Sequence, residues 1–310
     1  MANQNKKIIA VTSGNGGTGK SFLTANLALE LYKQGYHVVM ADLAFSSAHL
    51  HHYLGLPYPQ ATVRQFINIP EVTLDKYLID VSVGQNTDER LSSLKLLSSA
   101  SDVYSYKMMA ASERKRLYKA MSQLPYDFLL VDLPPGSSGL QQEVLSFSDT
   151  VLIVTDSSAV SLESAFLLIK KQIFYICSSL FKKNKEVLHF LDDAFNPQSG
   201  LNIDRVSEIV SAVQKLDKEI HQKIIKQLSF LNWVCICNHA EAQEGLQISE
   251  VFNNLIKKYL DQKISFWSTV RSSGYLSSSE KKKAPFLINA PDDPAAVDIS
   301  AFAEALTGQL

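Results

Sequence analysis

The 310-residue chain is short of cysteine, with three, has two tryptophans, and carries almost no net charge, formally -1. The odd count of cysteines, Cys177, Cys235 and Cys237, each within an apolar segment, fits buried thiols better than a disulfide framework. Cys235-Ile236-Cys237 puts two thiols on one strand face but lacks the four-ligand spacing of a zinc or iron–sulfur site. Thirty basic against thirty-one acidic side chains give no strong nucleic-acid signal, although a local basic patch stays open. No apolar run reaches membrane-spanning length, and the polar Met1–Lys7 leads into a strand without a signal-peptide pattern, so the cytoplasm is expected. Repeats and low-complexity tracts are also missing. Ser277–Ser279 and Lys281–Lys283 are too short to count, and the lysine run reads as a solvated helix end.

At 46% hydrophobic content a substantial core can be buried, and one α/β domain spanning 1–310 is preferred over two smaller ones. Gly14 to Ser21 read G-N-G-G-T-G-K-S, a complete G-x-x-x-x-G-K-[ST] phosphate-cradling loop. A buried-strand stretch, Lys7–Thr12, precedes it, and Phe22–Lys33 follow with apolar residues at helical spacing. The glycines let backbone N–H groups turn onto a polyphosphate. Lys20 supplies a point charge, and Ser21 can offer a hydroxyl to Mg²⁺ at the positive end of the helix.

Further strands are expected at Tyr36–Asp42, Tyr126–Asp132, Thr150–Thr155 and Leu231–Cys237, with a candidate at Leu94–Ser98. Helices are expected at Ser112–Leu124, Ala159–Leu180 and Glu241–Leu260. The alternation implies a three-layer, mostly parallel sheet with helices on both faces and ligands at the carboxyl ends of the strands. Between about 181 and 227 the pattern shifts to polar helical segments, 204–218 among them, which reads as a helical insertion with a loop at 196–200. Asp42 and Asp132 end strands beside the loop, as Mg²⁺ coordination requires.

With these motifs the chain resembles the MinD/ParA family of deviant Walker A P-loop ATPases, nearest to its FlhG-like branch. Gly16-Gly17-Thr18-Gly19-Lys20-Ser21 matches the core of the family loop. Asp42–Gly55 resembles its first switch segment, and Asp127–Gly136 its Y-D-x-x-x-x-D-x-P-x-G segment. The resemblance implies ATP and Mg²⁺ as cofactors and Lys20, Asp42 and Asp132 as catalytic groups, with Ser21, Asp42 and Asp132 around the metal. Gly14, Asn15, Gly16, Gly17, Thr18, Gly19, Lys20, Ser21, Phe22 and Asn238 would bind the nucleotide, Asn238 reading adenine through its amide.

Two departures from the family stand out. Its additional lysine, which reaches a dimer partner's phosphates, is Asn15 here, and its second switch aspartate, which orients water, is Ala44. Asparagine cannot neutralise charge, and losing a transition-state cation costs on the order of 10³ to 10⁵ in rate. ATP and Mg²⁺ are therefore expected to bind while turnover stays slow unless a partner supplies the missing group. The proline and aspartate usual after the late strand are also replaced, by Phe266–Ser273, which leaves the second wall of the base pocket open.

His49, His51 and His52 crowd the switch segment; with no cysteine or clear carboxylate beside them, partner contact is the more useful reading than metal ligation. The C-terminal stretch 298–310 has two acids and no lysine or arginine, and so is expected to pack on the domain rather than bind anionic lipid. The favoured function is an ATP-dependent homodimer switch read by an unidentified protein partner, positioning or regulating a cellular structure. A nucleotide-binding pseudo-ATPase scaffold, and an Mrp-like carrier or metabolic P-loop enzyme, are the alternatives.

Overall fold

The computed structural model describes residues 6–45, 47–82, 92–100, 109–181, 185–196, 198, 205–216, 218–274 and 285–309. The serine and lysine runs at 277–279 and 281–283, and most of the expected loop at 196–200, lie outside them.

Eight strands form one sheet: β1 (Lys7–Thr12), β2 (His37–Asp42), β3 (Ile79–Asp80), β4 (Ser93–Leu97), β5 (Phe128–Asp132), β6 (Thr150–Thr155), β7 (Trp233–Asn238) and β8 (Ile264–Val270). Their order is β3-β4-β2-β5-β1-β6-β7-β8. Every neighbouring pair is parallel except the edge pair β3 and β4. The family fold expected from sequence is present, with strand bounds displaced by a residue or two. The short β3 carries too few residues to show a periodicity.

The central strands are apolar throughout because alternate residues serve two cores. Val39, Ala41, Leu129, Val131, Val151 and Ile153 face one, and Val38, Met40, Leu130, Leu152 and Val154 face the other. The second face is covered by α1 (Lys20–Lys33), by α11 (Phe286–Asn289) and by α12 (Pro294–Gln309). Ala295, Ala296, Ile299, Phe302, Ala303 and Leu306 of α12 are buried there, and Phe302 stacks on Phe266 of β8 at 5.7 Å. Each such large apolar side chain stabilises the fold by about 1.5–3 kcal/mol.

The first face is covered by α4 (Ala111–Gln123), α5 (Gly139–Leu145), α6 (Ala159–Leu180) and α10 (Ala242–Leu255), which runs into a π-helical turn at Ile256–Leu260. Helices α7 (Lys185–Phe195), α8 (Val206–Leu216) and α9 (Lys218–Ser229) fill the connection from α6 to β7 and add Leu191, Val213 and Ile224 to that core. Two short helices, α2 (Leu50–Tyr53) and α3 (Val63–Asn68), follow β2. Cys177, Cys235 and Cys237 are free, buried thiols, and burial raises the pKa of each.

Candidate functional site

Chain order and parallel pairing carry the ends of β1, β2, β5, β6 and β7 to one edge of the sheet. The glycine loop leaves β1 there and enters α1 through Gly19, whose φ of 88° is left-handed. A Cβ on Gly19 would lie 2.3 Å from Asn238 Nδ2 at the end of β7, so only glycine fits. Gly14 is confined differently: a Cβ there would lie 2.2 Å from the Ser164 carbonyl carbon in α6.

Asp42 and Asp132 are register partners at the ends of adjacent strands, and both are buried. Asp132 Oδ2 accepts a 2.6 Å hydrogen bond from Ser21 Oγ, and Thr24 Oγ1 lies 3.5 Å from Oδ1. Asp42 accepts from the backbone N–H groups of Ala44 at 3.2 Å and Leu50 at 3.0 Å, so it also braces the start of α2. Burial pushes both carboxyl groups above their ordinary range. Asp132 adds to the shift at Asp42, while Ser21 and Lys20 oppose it at Asp132. The Lys20 ammonium is buried, which lowers its pKa, with Asp132 acting the other way. Two neighbouring carboxylates and a serine hydroxyl at a helix N-terminus make an all-oxygen set. This chemistry fits a hard divalent cation such as Mg²⁺.

Asn238 donates from Nδ2 to the Thr18 carbonyl at 2.9 Å, and its Oδ1 is buried without a hydrogen-bond partner, as is Thr18 Oγ1. Its amide thus braces the loop with one end and holds a buried, unpartnered acceptor at the other. Phe22 is buried against Tyr53 and Phe286, with ring centroids 6.1 and 5.2 Å away, and has only backbone groups to offer a nucleotide.

The two departures have distinct settings. Asn15 is held within its own chain: Oδ1 accepts a 3.1 Å hydrogen bond from Ser161 Oγ in α6, and Ser161 Oγ in turn lies 3.0 Å from Thr155 Oγ1 of β6. Ala44 is buried with no polar side-chain atom. The segment after β5 is tied to the loop by Gly136 N–H to the Ser13 carbonyl at 3.0 Å and by Gln141 Nε2 donating to Thr12 Oγ1. Sequence reasoning missed Gln141, Ser161 and Thr24. Of these, only Thr24, one turn after Lys20 on the same helix face, could have been found from spacing.

The histidines separate. His49 and His52 are exposed, but His51 is buried with both ring nitrogens unpartnered, so it cannot join a surface contact in this conformation. Desolvation, then the charges of His52 and His49, lowers its pKa to about 4.

The ParA family model, described as NUBPL iron-transfer P-loop NTPase, matches residues 4–175. A putative septum site-determining protein MinD of Tupiella akineta is 30% identical over 51% of this chain and 49% of its own length. The flagellum site-determining protein YlxH of Helicobacter pylori is 29% identical over 60% of this chain and 58% of its own. The chain thus matches about half the length of these relatives. Among solved structures, MinD of Pyrococcus horikoshii with Mg-ADP aligns over 97% of this chain and 96% of its own at 16% identity, TM-score 0.60. MinD in the MinC:MinD cell division complex of Aquifex aeolicus aligns over 97% and 96% at 20% identity, TM-score 0.60. With a family model spanning more than half its length over a loop, sheet and switch segments of this form, the chain belongs to the MinD/ParA family of P-loop NTPases.

Proposed function

We propose that the protein is an ATP- and Mg²⁺-binding switch of one domain, bearing a helical insertion at about 181–227, whose ATP-bound form dimerises in the cytoplasm and is read by a protein partner. The observation that carries this reading is the convergence of Lys20, Ser21, Asp42 and Asp132 on the glycine loop. Loop amides and Lys20 would hold the phosphates, and Ser21, Asp42 and Asp132 would hold Mg²⁺ directly or through water. The metal would neutralise phosphate charge. Asn238 Oδ1 would accept from the adenine amine. The septum and flagellum site-determining relatives favour a positioning or regulatory role.

Hydrolysis is proposed to be slow or partner-dependent. Asn15 carries no charge and is engaged by Ser161, and Ala44 cannot orient water. These residues also favour the second reading, a pseudo-ATPase scaffold that uses ATP only to hold one conformation. An Mrp-like carrier fits less well, because the three thiols are buried inside β7 and α6.

Calorimetry with ATP, ADP and GTP, with and without Mg²⁺, tests the site; no ATP binding would end the proposal. Light scattering without nucleotide, with ADP and with ATP separates an ATP-specific dimer from a scaffold of constant mass. Single-turnover hydrolysis is expected to be slow in the wild type and faster in Asn15→Lys, and brisk wild-type turnover without a partner would refute that part.

A further inference from the structure

A cavity of about 300 Å³ opens where α7 and the start of α8 fold back on α6 and on the π-helical turn after α10. None of its lining residues belongs to the glycine loop or to the strand ends around it. Ala194, Val206, Ile209 and Leu260 line it and are buried, which makes an apolar floor. Three half-buried rings stand around that floor. Phe166 and Tyr259 meet nearly at right angles with centroids 6.5 Å apart, and Phe195 is held edge-on by Phe174 at 5.1 Å.

Charge in the cavity is one-sided. Lys170 of α6 and Arg205, the residue before α8, both line it, and among the described residues no carboxylate does. The Lys170 ammonium lies 6.0 Å from the Phe195 ring centroid, the outer limit of a cation–π contact, so the ring offsets little of its charge. Val206, the first residue of α8, lines the cavity, so the positive end of that 11-residue helix adds to the field. Glu208 in the same turn is exposed and does not line it. Two cations over an apolar floor repel one another and favour an anion between them, and the arginine fork matches the paired oxygens of a carboxylate.

A cavity of roughly 150 Å³ holds one benzene ring, so this volume has room for about two. We propose that the pocket between α6, α7 and α8 binds a small aromatic anion of about two rings, with its ring system among Phe166, Phe195 and Tyr259 and its anionic oxygens toward Lys170 and Arg205. Aromatic walls reward an aromatic occupant through edge-to-face and offset contacts beyond the area buried. An inorganic anion would meet the two cations but leave the rings and floor wet, and a neutral ring would leave the cations unanswered. The occupant would also tie α7 and α8 to α6.

The test titrates the full chain by calorimetry with naphthoate, with naphthamide, which keeps the rings and drops the charge, and with inorganic phosphate, which keeps charge and drops the rings. Naphthoate should bind at least about tenfold more tightly than either and raise the thermal midpoint. Lys170→Met with Arg205→Met should weaken naphthoate by about tenfold or more, leave naphthamide unchanged and keep the wild-type circular dichroism spectrum. Lys170→Arg, which keeps the charge, should retain most of the affinity. No naphthoate binding, equal affinity for naphthamide or phosphate, or undiminished binding to the double variant would overturn the proposal. So would binding that is lost in Lys20→Met and kept in the double variant, which would place the anion at the glycine loop.

Discussion

Ser21 Oγ donates a 2.6 Å hydrogen bond to Asp132 Oδ2 across 111 residues of chain, joining the helix after the glycine loop to the end of β5. The bond fixes the orientation of both oxygens offered to a metal, and orienting contacts of this kind are worth about ten- to a hundredfold in metal affinity. Ser21→Ala should therefore weaken Mg²⁺-dependent nucleotide binding by that factor and leave the Mg²⁺-free affinity nearly unchanged. Fluorescent-nucleotide titrations with Mg²⁺ and with a chelator measure the two; an equal loss in both would show that Ser21 acts on the phosphates alone.

Gly14 touches the backbone of α6, and backbone cannot turn aside as a side chain can. Gly14→Ala should lower stability by about 1–3 kcal/mol through overpacking and weaken nucleotide binding as the loop shifts. Urea unfolding reads the first effect. Gly139→Ala, where an added Cβ meets nothing within 4 Å, is the control and should be neutral to slightly stabilising.

Because burial raises the pKa of Asp42 and Asp132, the folded apoprotein holds protons that the unfolded chain has released above about pH 4. From that pH upward through the raised values, the pair's contribution to stability falls. Mg²⁺ binds the ionised pair, so its rise in thermal midpoint should be larger near pH 7.5 than near pH 5. Asp132→Asn should flatten that difference. A pH-independent Mg²⁺ effect in the wild type would place the metal elsewhere.

His51 has the opposite sign. Its folded pKa of about 4 lies below the unfolded value of about 6.5, so between them only the unfolded chain is protonated and stability is lost as pH falls. The loss approaches on the order of 3 kcal/mol. His51→Phe should be less sensitive across that window in denaturation curves, whereas replacing only His49 and His52 should keep most of the wild-type slope.

Local pattern made most of the architecture legible. Apolar runs such as Leu129-Leu130-Val131 read as strands because both faces are buried, and strand, glycine loop and helix in sequence identified the phosphate site. Strand-end aspartates were visible for the same reason: the chain itself delivers Asp42 and Asp132 to one edge. The edge pairing of β3 with β4 was not visible, being a two-residue contact with no period.

Sequence alone therefore determined the layered α/β fold, the loop and the identity of its charged groups, because each follows from short-range periodicity or spacing. Tertiary structure decided what contacts between distant segments decide. It tied Asn15 to Ser161, turned the Asn238 amide onto Thr18, buried one histidine of three and left α6 and α10 parted by an apolar groove. Those outcomes depend on how close packed helices and strand ends come to one another, a distance that no local pattern encodes.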